Sequence, residues 1–167
     1  MSTIDTYLER NARYAESTAE PALPVPPSKK LTIVTCMDAR MDICALLGLE
    51  PGDAHILRNA GGVVTDDMIR SLMLSQRLLG TREIMLIHHT ECGALMFTDD
   101  ELKAEVERET GVRPPFALES FADLDDDVRQ SIARIQTSPF VPHKDSVRGF
   151  VYDVQTRLLR EVDRARP

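Results

Sequence analysis

The stretch LTIVTCMDAR, residues 31–40, begins as an apolar run and ends in polar side chains, several of which can bind a metal. The stretch EIMLIHHTECG, residues 83–93, follows the same plan. Apolar runs of this length, bounded by polar residues or glycine, are typical of buried strands in a parallel sheet. Ligands bind at the carboxyl ends of such strands, so Cys36, His89 and Cys92 are expected to lie at one edge of the sheet.

The remainder of the chain alternates between helical and strand patterns. Turn signals separate these segments, among them Glu50-Pro51-Gly52 and Gly80. The β–α–β–α–β order predicts an α/β fold with a mostly parallel central sheet flanked by helices. Helices are expected at residues 3–18, 41–48, 65–79, 99–110 and 123–138, and strands at residues 31–36, 54–59, 83–89 and 148–155.

An N-terminal helical arm precedes this fold. Ile4, Tyr7 and Leu8 fall on one face of the first expected helix. The segment EPALPVPPSKK, residues 20–30, holds four of the ten prolines and predicts a stiff, extended connector. Such an arm docks either on its own domain or on a partner subunit, and its stiffness favours the partner. The length predicts a single domain over residues 1–167.

Charge and hydropathy exclude several classes of partner. The net charge is −7, and so no basic field would attract a nucleic acid or an anionic membrane. No apolar run approaches the ~18 residues of a membrane span. The polar N-terminus MSTIDTYLER lacks the pattern of a signal peptide. We therefore expect a soluble cytoplasmic protein.

The cysteine count favours a metal site over a disulfide framework. Three cysteines are few and odd in number, which indicates reduced thiols. Cys44 lies in the apolar run ICALLGL and is expected to be a plain buried hydrophobe. Cys36, His89 and Cys92 offer two thiolates and one imidazole, which suit tetrahedral Zn²⁺ and leave a fourth position. A redox thiol pair is the competing interpretation, although the chain contains no C-x-x-C motif.

Asp38 and Arg40 follow the first cysteine closely enough to share its site. Arg40 can pair bidentately with Asp38, which keeps the carboxylate off the metal and leaves the fourth position to water. If the pair breaks, Asp38 can bind zinc itself; a simple strand-end salt bridge is the plainer alternative. His88 points to the opposite face of its strand from His89, so it is expected to be packed or hydrogen-bonded away from the metal.

These motifs resemble the β-class carbonic anhydrases, in particular their compact bacterial members. The resemblance rests on C-x-D-x-R at residues 36–40, followed by H-x-x-C-G at residues 89–93. The segments Arg58-Asn59-Ala60-Gly61 and GFVYDV, residues 149–154, are similar to two further parts of that family. The resemblance is strong over residues 31–97 and weaker elsewhere.

The resemblance implies a zinc enzyme that reversibly hydrates carbon dioxide to bicarbonate and a proton, with one Zn²⁺ per chain. It implies that Cys36, His89 and Cys92 bind zinc. It also implies that Asp38 and Arg40 form a catalytic dyad, in which Asp38 becomes a fourth ligand only in a closed state. Since two thiolates give the metal more electron density than imidazoles would, activity is expected to rise with pH above neutrality.

Family members of this kind are homodimers, often doubled to tetramers, with N-terminal helices wrapped over the neighbouring subunit. The resemblance therefore gives residues 1–30 a role in dimerisation. Some relatives are switched off by bicarbonate in a second pocket built from a tryptophan, an arginine and a tyrosine. Arg58 and Tyr152 match two of these positions, but Ile33 replaces the tryptophan, which argues against this form of regulation.

Other functions stay open on the sequence alone. A catalytically silent zinc protein, in which Asp38 always closes the site, shares the same residues with the active enzyme. A hydrolase of CS₂ or COS could use the same scaffold, and a thiol-redox protein is a further alternative. Substrate requires a small apolar pocket, which is expected near Val63 or Val64.

Overall fold

A five-stranded sheet forms the centre of the molecule in a computed structural model that describes residues 2–17 and 22–163. In chain order the elements are α1 (Thr3–Ser17), β1 (Leu31–Cys36), α2 (Ile43–Leu47), β2 (Ala54–Asn59), α3 (Asp66–Leu79), β3 (Glu83–His89), α4 (Asp99–Thr110), α5 (Leu124–Thr137), β4 (Val147–Tyr152) and β5 (Leu159–Glu161). The strands lie in the order β2-β1-β3-β4-β5. The first four are parallel, and β5 pairs antiparallel with β4.

Each face of the sheet has its own apolar core. Val34 and Leu86 belong to the core that α3 and α5 complete. Ile33 and Ile87 belong to the other core, which α2 and the segment after β3 complete. Successive strand residues point to opposite faces, so burial on both sides explains why the strands read as continuous apolar runs. The mostly parallel α/β fold that the sequence predicts is confirmed.

Most element bounds agree closely with the sequence pattern. Strands β1, β2 and β3 occupy the expected residues, and so does α4. The expected capping box of α4 is present, because Thr98 and Glu101 each satisfy a backbone N–H of the other. Gly80 ends α3 in the left-handed conformation that glycine adopts without strain. Thr18, the last residue expected of the first helix, lies outside the described residues.

The C-terminal part of the sheet departs from the expectation. The strand expected at residues 148–155 ends at Tyr152, where the chain turns. It is followed by β5, a further strand that the sequence pattern does not predict. Its three residues, Leu159–Glu161, are too few and too polar to show a period of two.

Cys44 corrects the expectation that it is a buried hydrophobe, because it is exposed. Helix α2 has only five residues and presents one face to the sheet. Ile43 is 2% exposed on that face, and Leu46 and Leu47 pack against the same core. An apolar run in a short surface helix therefore need not be buried throughout, and Cys44 occupies its open side.

The apolar side chains of helix α1 are exposed. Ile4, Tyr7 and Leu8 are 71%, 60% and 63% exposed, and α1 contains no buried residue. The rest of the described chain therefore leaves this apolar face available for packing against another surface. Neither α1 nor any other described helix has the length and apolar character needed to cross a membrane.

Gly149 on β4 allows α5 to pack closely on the sheet. A Cβ atom at this position would overlap Cγ1 of Val128 and lie 3.0 Å from Cδ1 of Ile132. Because packed cores accommodate extra atoms poorly, Gly149→Ala is expected to lower the free energy of unfolding by about 2–3 kcal/mol. Urea denaturation followed by circular dichroism measures this change.

The matched control for this prediction is Gly80→Ala. Gly80 has a φ of 75°, but a Cβ atom there would meet no atom within 4 Å. Its replacement should therefore show only the strain of the left-handed conformation, about 1–2 kcal/mol. A smaller loss for Gly149→Ala than for Gly80→Ala would contradict the tight helix–sheet contact.

Candidate metal centre

Two sulfurs and one imidazole nitrogen converge at the carboxyl edge of the sheet. Cys36 ends β1 and His89 ends the neighbouring strand β3, while Cys92 lies in the turn that follows β3. Their ligand atoms all lie within 4.8 Å of one another. The three residues are 5%, 0% and 2% exposed. The structure thus brings together the three side chains that the sequence pattern selects, in a site shielded from water.

The imidazole of His89 is oriented for metal binding. Its Nδ1 lies 2.8 Å from the carbonyl oxygen of Thr90, and because a carbonyl can only accept, Nδ1 carries the proton. The lone pair is therefore on Nε2. That atom is buried and has no hydrogen-bond partner among the described residues. A buried nitrogen of this kind, beside two thiols, fits a metal ligand whose other ring nitrogen is fixed by the backbone.

The two thiols are close but not bonded to each other. Cys36 and Cys92 are free cysteines with their Sγ atoms 4.0 Å apart. Two sulfurs that each lie about 2.3 Å from a tetrahedral zinc ion would be about 3.8 Å apart, so the observed distance fits zinc. The hydrogen bond from the Cys92 thiol holds the pKa of Cys36 below its usual value, and the same hydrogen bond raises the pKa of Cys92. Without a metal the pair thus favours a thiolate at Cys36, and the thiolate is the form of cysteine that binds a metal.

Asp38 stands beside these ligands and is held by Arg40. Nε of Arg40 donates to Oδ1 of Asp38 at 3.0 Å, and Nη2 donates to Oδ2 at 2.8 Å. The backbone N–H of Arg40 also donates to Oδ1 at 2.8 Å. These hydrogen bonds hold the pKa of Asp38 well below its usual range. Oδ2 of Asp38 is 3.7 Å from Nε2 of His89, so a charged carboxylate lies next to the ligand group.

Arg58 is tied to the backbone of the segment that carries Asp38. Its Nε, Nη1 and Nη2 donate to the carbonyl oxygens of Cys36, Met41 and Asp38 at 2.9, 3.1 and 2.7 Å. Its guanidinium therefore fixes the loop after β1.

His88 lies on the opposite face of the sheet from His89, as expected. Its Nε2 is 2.5 Å from Oδ2 of Asp127 on α5. Both side chains are buried, at 0% and 7% exposed. The expectation of a packed, hydrogen-bonded histidine is confirmed, and His88 serves to join β3 to α5 rather than to bind a metal with His89.

An apolar cavity of about 360 Å³ opens onto the candidate ligands. Val63 and Val64, which the sequence suggests for this pocket, do not line it, and they are 3% and 0% exposed. Both side chains are instead enclosed in the interior of the chain. The cavity is lined by Cys36, Met37, Asp38, Ala60, Gly61, Cys92, Gly93, Ala94, Phe97 and Leu118.

Leu118 reaches the cavity because Asp99 fixes the loop that carries it. Oδ2 of Asp99 accepts from the N–H of Leu118 at 2.8 Å, and Oδ1 accepts from the N–H of Ser120 at 3.0 Å. These hydrogen bonds, led by that from Ser120, lower the pKa of Asp99 to about 2. Only an aspartate at the first turn of α4 hints at this in the sequence, and such a residue ordinarily indicates a helix start.

Comparison with known proteins identifies the family. The profile of the carbonic anhydrase family matches residues 31–114. The chain is 56% identical to β-carbonic anhydrase 1 of Mycobacterium tuberculosis, over 97% of this chain and 99% of that protein. The chain belongs to the β-class carbonic anhydrases. The resemblance seen in C-x-D-x-R and H-x-x-C-G is thereby confirmed.

Solved structures and more distant relatives agree with this membership. The crystal structure of carbonic anhydrase from Streptococcus mutans superposes with a TM-score of 0.92 at 43% identity, covering 98% of this chain and 99% of that one. The carbon disulfide hydrolase of Acidianus sp. is 34% identical, over 95% of this chain and 88% of that protein. The β-class carbonic anhydrase scaffold of this chain is thus similar to proteins named for two different substrates.

Proposed function

We propose that this protein catalyses the zinc-dependent, reversible hydration of carbon dioxide to bicarbonate and a proton. One observation carries the proposal: the buried group of Cys36, His89 and Cys92 has a free imidazole lone pair and a matching sulfur separation. This donor set suits zinc, which takes thiolate and imidazole ligands in tetrahedral geometry. Membership of the β-class carbonic anhydrases supports the same reaction.

The three ligand residues would hold one Zn²⁺ per chain. Bound there, zinc supplies the Lewis acidity that makes water a nucleophile near neutral pH. Cys36 and Cys92 contribute negative charge, and His89 contributes a neutral nitrogen whose orientation Thr90 fixes. The burial of all three excludes bulk water from the ligand atoms.

Asp38 and Arg40 orient the reacting water in this proposal. An ionised carboxylate accepts hydrogen bonds but does not donate them, so Asp38 directs a water proton toward itself and the oxygen lone pair toward the cavity. Arg40 keeps Asp38 ionised and turned toward its guanidinium, by the hydrogen bonds of 2.8 and 3.0 Å. If Asp38 instead closes the fourth position on the metal, no water can react there.

The apolar wall of the cavity suits carbon dioxide, which has no hydrogen-bond donor. Ala60, Ala94, Phe97 and Leu118 form much of the apolar lining of this cavity. This wall offers contact to an apolar substrate without binding water strongly. Bicarbonate, which is charged, gains no comparable interaction from it and is released to solvent.

We also propose a cytoplasmic homodimer, either alone or doubled to a tetramer, in which residues 1–30 pack on the partner subunit. The apolar face of α1, with Ile4, Tyr7 and Leu8 exposed, supports this assembly. Reduced thiols at Cys36 and Cys92 are required by the zinc site and suit the cytoplasm.

Stopped-flow CO₂ hydration between about pH 6.5 and 9, on protein of known zinc content, tests the proposed function. Activity is expected to rise with pH to a plateau, because two thiolates make the metal a weaker acid than imidazoles would. No activity at any pH, with one zinc per chain, would overturn the proposal and leave either a closed zinc protein or an enzyme for another substrate.

Carbon disulfide is the second candidate substrate, since several relatives are named as carbon disulfide hydrolases. The same zinc-loaded preparation should be assayed with CS₂, following the release of sulfide. The higher identity to a carbonic anhydrase than to these hydrolases favours CO₂. Faster turnover of CS₂ than of CO₂ would reverse this order.

A further inference from the structure

Glu91 occupies an unusual backbone position between two candidate ligands. It lies in the turn between His89 and Cys92 and has a φ of 57°, in the left-handed region that residues other than glycine rarely adopt. Backbone outliers of this kind persist where the surroundings hold them, often at functional sites. Here the backbone carbonyl of Glu91 accepts a hydrogen bond of 3.1 Å from Nη2 of Arg40.

The side chain of Glu91 continues this interaction with Arg40. Its Oε2 accepts from Nη1 of Arg40 at 3.1 Å, and its Oε1 accepts from Nε2 of Gln155 at 2.8 Å. Gln155 is itself fixed, because its backbone N–H donates to Oδ1 of Asp153 at 2.9 Å. Gln155, in the turn that follows β4, thus holds the carboxylate of Glu91 in place.

Arg40 therefore lies between two carboxylates that use different edges of its guanidinium. Nε and Nη2 face Asp38, while Nη1 faces Glu91. Because the guanidinium is rigid and planar, rotation that breaks one set of hydrogen bonds also displaces the other. The position of Asp38 thus depends on Glu91 through Arg40, although Glu91 makes no hydrogen bond to Asp38.

We infer that Glu91, held in place by Gln155, is a positioning residue that keeps Arg40 hydrogen-bonded to Asp38 and so keeps the Asp38 carboxylate on Arg40 beside the candidate ligands. This inference rests on the proposed function for its catalytic consequence. An isolated exposed ion pair contributes little. Glu91 instead contacts Arg40 through both its carboxylate and its backbone carbonyl, and Gln155 holds that carboxylate in place. Together these contacts restrict Arg40 more than a single ion pair does.

The test measures Arg40 directly. In ¹⁵N-labelled, zinc-loaded protein, hydrogen exchange of the Nε–H of Arg40 reports how firmly that group is bound to Asp38. Glu91→Ala is expected to accelerate this exchange about threefold to fivefold and to lower kcat by a similar factor, which is the range of one modest ion-pair interaction. Glu91→Gln keeps an acceptor oxygen without the charge, so its exchange rate should fall between those of the wild type and Glu91→Ala.

Gln155→Ala tests the contribution of the Gln155–Glu91 hydrogen bond apart from that of the Glu91 carboxylate itself. It leaves Glu91 in place and should accelerate exchange about twofold. Glu107→Ala is the matched control, since Glu107 is 49% exposed against 51% for Glu91 and also pairs with an arginine, Arg113, away from the site. This control should leave the exchange of Arg40 and the activity unchanged.

The outcomes distinguish this inference from the proposed function. Unchanged exchange of Arg40 in Glu91→Ala overturns the positioning role, whatever the activity of the wild type. A wild-type protein without CO₂ hydration overturns the proposed function, while the exchange rates still report the contact. If Glu91→Ala does not fold, Glu91→Gln and Gln155→Ala test the inference in its place. It is overturned if the Nε–H of Arg40 exchanges at the wild-type rate in both variants.

Discussion

Cys36→Ala is expected to weaken zinc binding by more than about 100-fold and to abolish measurable CO₂ hydration. Loss of a group that only orients a metal ligand costs about 10–100-fold in affinity, so loss of a ligand atom should cost more. The remaining donors, Nε2 of His89 and Sγ of Cys92, would fill only two corners of a tetrahedral site. Elemental analysis gives the zinc content per chain, and stopped-flow hydration gives the activity.

Cys44→Ala is the matched control for this prediction. Cys44 is a free cysteine like Cys36 but is exposed on α2, so its removal should leave one zinc per chain and full activity. Because Cys36 is 5% exposed, its truncation also costs about 1 kcal/mol of stability, and circular dichroism must show that the variant is folded. A folded Cys36→Ala protein with one zinc per chain would show that Cys36 is not a ligand.

Alkylation of the zinc-loaded wild type checks the redox alternative. Metal-bound thiolates should be protected, so Cys44 is expected to react while Cys36 and Cys92 do not. Chelation of the metal should then increase the reaction of Cys36 and Cys92 relative to the loaded protein. Fast alkylation of both in zinc-loaded protein would favour a redox thiol pair.

The sheet and the three candidate ligands could be predicted from the sequence because both depend on local patterns. The run before Cys36 and the run before His89 are mostly apolar, and strands buried on two faces typically produce such runs at this length. Parallel neighbours place their carboxyl ends at one edge, which brings Cys36 and His89 together. Alternation along β3 then separates His88 from His89, as the hydrogen bond of His88 to Asp127 shows.

The features that the sequence did not predict depend on contacts between distant segments. Leu118 joins the cavity wall only because Asp99 binds the backbone of its loop. Glu91 appears in the sequence as an ordinary charged residue beside Cys92, and its contacts with Arg40 and Gln155 appear only in three dimensions. The hydrophobic pattern also wrongly predicted that Cys44 is buried, because a five-residue helix has a solvent-exposed side that the pattern does not reveal.

The second large effect is expected for Asp38→Ala. Asp38 is paired with Arg40 in the structure, and its lowered pKa keeps it an ionised hydrogen-bond acceptor beside the ligand group. A group that positions the nucleophile or receives its proton contributes about 10²–10⁴-fold to the rate. Asp38→Ala should therefore lower kcat by about 100-fold or more, yet retain one zinc per chain, because the three ligand residues are untouched. Stopped-flow hydration and zinc analysis on the same preparation measure both quantities.

The control for Asp38→Ala is another aspartate that pairs with an arginine. Oδ1 of Asp67 lies 2.7 Å from Nε of Arg70 on the surface of α3. Asp67→Ala should change neither the zinc content nor the activity. The two readouts for Asp38→Ala separate the open site from the closed one. Loss of activity with zinc retained supports a carboxylate that acts beside the metal while held by Arg40. Loss of zinc would instead show that Asp38 binds the metal under those conditions, and the silent, closed form of the protein would then be the better description.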